Sequence, residues 1–104
     1  MERDYLNEAG IFKAFCDDKR LRILELLQDG EKCTCVLNEK LDIPQSTLSY
    51  HMKILCESGV VEGRQEGKWT HYSISKEGVL CAMDILRAYS LQNAKRQMSN
   101  DCCL

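Results

Sequence analysis

Cys33 and Cys35, one residue apart in Glu31-Lys32-Cys33-Thr34-Cys35-Val36-Leu37, are the residues of this chain best equipped for chemistry. Thiolates are soft donors that hold soft ions and undergo oxidation or exchange. A pair placed at the start of a helix can bind such an ion and change how the next helix is presented. Cys102 and Cys103, adjacent at the other end of the chain, form a second soft pair. The seven cysteines are many for a reducing compartment, and their odd number argues against a closed disulfide framework. Cys16, Cys56 and Cys81 read as small buried residues. The Cys-x-Cys spacing does not supply the nucleophile and resolving thiol of a Cys-x-x-Cys oxidoreductase, so the chain reads as no enzyme.

The elements that must position these thiols follow from periodicity and punctuation. Tyr5 to Phe15 reads as an amphipathic helix. A second helix begins at Asp17 or Asp18, carries the stripe Leu21, Ile23, Leu24 and Leu27, and stops at Asp29-Gly30. Lys32 to Leu41 has the length of a short third helix, which Asp42-Ile43-Pro44 ends. In a regular helix residues i and i+2 lie about 200° apart, so Cys33 and Cys35 are expected on opposite sides. Gripping one ion would then require unwinding that helix start.

A fourth helix runs from Gln45, with Pro44 in its first turn, to Glu57 before Ser58-Gly59. Leu48, Met52 and Leu55 form its core face, while Ser46, Ser49, Tyr50 and Lys53 line the other. Two helices joined by a tight turn, the second bearing a face of short hydrogen-bonding side chains, describe a helix-turn-helix. Gln45, Ser46, Thr47, Ser49, Tyr50, His51 and Lys53 are the expected DNA contacts. Val60 to Glu62 and Trp69 to Ile74 are β-prone and flank the polar loop 63–68, which makes a hairpin. Following a helix-turn-helix it is a wing, with Arg64 and Lys68 at phosphate or in the minor groove. His71 falls in this unit as polar packing or a DNA contact.

From Lys76 to about Gln97 a long helix returns, with Val79, Ala82, Met83, Leu86 and Tyr89 on one face and Ile85 beside it. That face is too apolar to leave wet, and with the first helix it offers a dimer interface suited to a two-fold symmetric site. The expected architecture is mainly α with a β-hairpin wing, in the order α-α-α-α-β-β-α. One domain spans 1–97, and a flexible tail with the terminal cysteines spans 98–104. Of 104 residues, 44% are hydrophobic and 29% charged, ordinary for a soluble globular protein. No apolar run approaches a membrane span of roughly 18 residues, and nothing reads as a signal peptide, so the expected location is the cytoplasm. The net charge of −2 gives no global attraction to nucleic acid, so the DNA reading rests on local pattern.

That order of elements, with Cys33-Thr34-Cys35-Val36-Leu37, Gln45-Ser46-Thr47-Leu48-Ser49-Tyr50-His51 and Gly67-Lys68-Trp69-Thr70-His71-Tyr72, resembles the ArsR/SmtB family of winged-helix repressors. The match runs from about Phe12 to Ser75. The resemblance implies a homodimer that binds operator DNA and releases it when a metal or metalloid binds. The double-cysteine motif is similar to that of the arsenite sensors, which makes arsenite or antimonite the expected inducer and leaves no constitutive cofactor. Cadmium, lead or zinc sensing, or thiol oxidation, is the alternative on the same fold. The resemblance disfavours zinc ligation on the last helix, which carries no histidine here. Many arsenite sensors add a cysteine three positions after the second thiol, where this chain has Asn38. Trivalent arsenic favours three thiolates in a pyramid. Cys102 and Cys103 are therefore the expected further ligands beside Cys33 and Cys35.

Overall fold

The computed structural model describes residues 3–96, with side chains through residue 91. Cys102, Cys103 and the tail expected at 98–104 lie outside the described residues. The order is α1 (Tyr5–Lys13), α2 (Asp18–Leu26), β1 (Lys32–Cys33), α3 (Thr34–Leu41), α4 (Gln45–Ser58), β2 (Val61–Glu66), β3 (Trp69–Ile74) and α5 (Lys76–Arg96). All the expected helices and the hairpin are present. Strand β1 is an addition that periodicity did not foretell.

Capping and turn chemistry set the boundaries. The Asp17 carboxylate accepts from the Lys19 amide at 2.7 Å and starts α2. Ile23 and Leu24 of α2 and Leu27 at its C-cap are buried as expected, but Arg20 takes the inward place expected of Leu21, which is exposed. Asp42, in the left-handed conformation at φ 55°, ends α3. Pro44 stands just outside α4 rather than in its first turn, extended at φ −60° and ψ 149°. Its carbonyl accepts from the Leu48 amide at 3.1 Å. Leu37 and Leu41 of α3 join Leu48, Met52 and Leu55 of α4, Ile23 and Leu27, and the Val60-Val61 corner in one core. Sequence order thus becomes a fixed helix-turn-helix through burial of both helices on the same apolar cluster.

The sheet is antiparallel with order β1-β3-β2. Lys32 faces Tyr72 and Cys33 faces His71, while β2 and β3 pair from Val61–Ile74 to Glu66–Trp69. The hairpin therefore closes through Gly67-Lys68 alone, tighter than the expected loop, with Gly67 at φ 63° where a two-residue turn wants glycine. Ser75 Oγ accepts from the Gly78 amide at 3.1 Å and caps α5. A Cβ on Gly78 would collide with the Gly59 carbonyl, so α5 seats backbone against backbone on the corner between α4 and β2. Val79, Ala82 and Ile85 pack into the core, but Leu80, Met83, Leu86 and Tyr89 remain exposed. Among the described residues no helix is long and apolar enough to cross a membrane.

Candidate functional site

Because α3 begins at Thr34, Cys33 is not helical. It is the extended residue before the helix, at φ −76° and ψ 151°, and Cys35 sits in the first turn. This difference of two residues in the helix start overturns the expectation that the thiols diverge. Their sulfurs lie 3.2 Å apart, with the Cys35 thiol donating to Cys33. No unwinding is needed to bring them together. That hydrogen bond, followed by burial, raises the Cys35 pKa. Both thiols are free. Among the described residues, no group of three or more His, Cys, Asp or Glu side chains stands together as a metal cluster. Of the three cysteines expected to be buried, Cys16 and Cys81 are exposed and Cys56 is half-buried. Burial pushes the Cys56 thiol pKa up.

The thiol segment is fastened to the wing. Thr34 Oγ1 donates to the Thr70 carbonyl at 3.0 Å. Glu31 receives two hydrogen bonds from Arg64, at 3.0 and 2.7 Å, and Glu66 a third at 3.3 Å. Arg64, expected at phosphate, is thus committed to carboxylates, and the paired guanidinium holds Glu31 below the usual carboxylate range. His71 shares this sheet face and places Nε2 3.4 Å from Glu66. A cleft of about 390 Å³ opens beside the pair, lined by Thr34, Cys35, Asn38 and Glu39 of α3, Gln45 of α4, and Lys68, Trp69 and Thr70 of the wing. Sequence reading had not joined Glu31, Trp69 or Thr70 to this site. For Asn38 a signal existed, since three positions after Cys35 is one turn along the same helical face. Its Oδ1 is buried and has no hydrogen-bond partner among the described residues.

On α4, Gln45, Ser46, Ser49, Tyr50 and Lys53 are exposed and Thr47 is half-buried, giving a continuous polar face. Lys68, at the wing turn, is exposed and forms no salt bridge among the described residues. His51 is not on this face. It is only 5% exposed, and Arg20, 7% exposed, donates Nη1 to its Nδ1 at 2.9 Å while Nε donates to the Lys13 carbonyl at 3.0 Å. An arginine only donates, so Nδ1 accepts and the ring is neutral, with its hydrogen on Nε2. Burial lowers the His51 pKa, against the opposing charge of Asp17. A DNA contact by His51 is therefore withdrawn: the ring anchors the inner side of α4.

A third surface is apolar. Tyr5 and Leu6 of α1, and Met83, Leu86 and Tyr89 of α5, are exposed large side chains. Arg3 bridges the two helices, with its guanidinium 5.1 Å from the Tyr5 ring centre and 5.4 Å from that of Tyr89.

Comparison with known proteins identifies the family and the fold. Residues 17–63 match the arsR family of bacterial regulatory proteins. An uncharacterised HTH-type transcriptional regulator of Methanocaldococcus jannaschii is 45% identical over 76 residues, which cover 72% of this chain and 85% of that one. The arsenical resistance operon repressor of Bacillus subtilis is 36% identical over 95 residues, 88% of this chain and 86% of that protein. The solved structure of an ArsR-like transcriptional regulator from Rhodococcus sp. RHA1 superposes with a TM-score of 0.79 at 22% identity, over 88% of this chain and 84% of that one, and shares its fold.

Proposed function

The chain belongs to the arsR family of bacterial regulatory proteins, and from that premise we propose a homodimeric operator-binding repressor released when arsenite or antimonite bonds to Cys33 and Cys35. As a member of a transcriptional regulator family it is not an enzyme. The observation that carries the proposal is the sulfur pair, 3.2 Å apart beside a cleft shared by Gln45 at the start of α4 and Lys68 at the wing turn. A ligand on these sulfurs enters the space between the two elements that meet DNA. Gln45, Ser46, Thr47, Ser49 and Tyr50 approach base edges and phosphates, and Lys53 and Lys68 neutralise phosphates. Filling the cleft shifts the wing relative to α4, so the two no longer fit one stretch of duplex.

The exposed apolar strip of α1 and α5 supports a dimer, which a two-fold symmetric operator requires. The cytoplasm, where thiols stay reduced, is the compartment in which such a pair remains competent. Ligand and operator then oppose each other reciprocally, with a coupling of about 1–3 kcal/mol.

Operator affinity of the reduced protein, titrated with arsenite, tests the reading. Affinity should fall in the native protein and stay constant in Cys33→Ser and Cys35→Ser. An unchanged affinity in the native protein refutes it. A soft divalent cation such as cadmium on the same two sulfurs is the second reading, favoured by their closeness. Cadmium displaces thiol protons, so its affinity climbs with pH. Arsenite exchanges hydroxide for thiol sulfur with release of water, and its affinity stays level below the thiol range.

A further inference from the structure

We infer that arsenite binds this protein through two sulfurs only, and that its third arsenic position keeps a hydroxyl held by the Asn38 carboxamide. The inference rests on the reading of Cys33 and Cys35 as the sensing pair and specifies its coordination. Two observations carry it. The sulfurs are already 3.2 Å apart, so two As–S bonds form on one arsenic without refolding α3. Asn38 Oδ1 is buried without a partner, and its residue lines the same cleft as Cys35, one helical turn further on.

A buried carbonyl oxygen lacking a donor is costly unless something supplies one. Arsenite supplies it. Arsenous acid, As(OH)3, reacts with the two thiols to form two As–S bonds; two As–O bonds break, and each departing hydroxide takes a thiol proton and leaves as water. No electron is transferred. The product, a dithiolate of As–OH, keeps one hydroxyl, and its hydrogen is donated to Asn38 Oδ1. Position 38, where a sulfur would complete a pyramid, carries a carboxamide instead, and a turn of that side chain toward the cleft presents its oxygen to the hydroxyl. Cys102 and Cys103 are not required.

X-ray absorption of the arsenite-loaded full chain should show two As–S and one As–O neighbour, unchanged in the Cys102→Ser/Cys103→Ser variant. Three As–S neighbours overturn the inference. N38C should convert the spectrum to three sulfurs, and persistence of the oxygen there means that position 38 does not face arsenic. N38A should weaken arsenite binding about three- to tenfold, the worth of one hydrogen bond. The same variant should leave phenylarsine oxide unaffected, because its third arsenic valence is a carbon. Equal losses for both compounds remove Asn38 from the site. If neither compound binds the native protein, the sensing role of the thiols falls, and this coordination with it.

Discussion

The inner side of α4 and the start of α3 lie on neighbouring helices but are held in opposite ways. Behind α4, a buried arginine and a buried histidine share a 2.9 Å hydrogen bond within an apolar cluster, on an α2 whose start is capped by Asp17. The start of α3 has no side-chain cap, a two-residue strand, one hydroxyl hydrogen bond to the wing and an exposed ion pair. The helix proposed to meet DNA is locked to the core, whereas the segment that carries the thiols is tied by weaker surface contacts, which the proposed ligand would have to outcompete. A coupling of about 1–3 kcal/mol exceeds what such surface ties supply, yet is small against the anchoring of a packed helix.

The largest effect should come from breaking the anchor. H51A leaves the buried Arg20 guanidinium short of an acceptor and should cost about 1.5–3 kcal/mol of folding stability in urea denaturation. A loss no greater than that from loosening α3 would erase the contrast. Acid attacks the same contact. Burial sets the folded His51 pKa below its unfolded value, so the unfolded chain binds the proton more readily. Stability is therefore complete above the ordinary histidine range near 6.5 and declines as pH falls through it toward the folded value. The urea midpoint should drop across that window in the native protein and drop less in H51A.

Loosening the thiol segment should do less. T34V removes the hydrogen bond to the Thr70 carbonyl and should cost about 1 kcal/mol, while shifting the arsenite concentration that releases operator. The smallest effect on folding belongs to E31Q, which should leave the thermal midpoint unchanged. It releases Arg64 toward phosphate, so operator binding should acquire a steeper salt dependence, by up to about one unit of log–log slope. An unaltered slope would mean that Arg64 stays on Glu66.

The helices, the turn at Pro44 and the hairpin were legible because their signals are local: periodicity, a proline and a glycine. What escaped depended on partners distant in sequence. His51 falls in the stripe of Leu48, Met52 and Leu55, a sign of burial that its polarity masked, and its partner Arg20 lies 31 residues earlier. A two-residue strand has no period of its own, and β1 exists only because β3 offers an unpaired edge. The thiol geometry turned on whether α3 starts at Lys32 or Thr34, a boundary within the ordinary uncertainty of helix ends. Arg64 read as a free wing cation because Glu31 lies 33 residues away.

The strand order also imposes a sequence in time. Hairpin β2–β3 closes through two residues and can zip early, whereas β1 must wait for the far edge of β3, since Cys33 pairs with His71. Cys33 is held extended by pairing with His71, so the arrangement of the two thiols rests on a contact of long sequence separation.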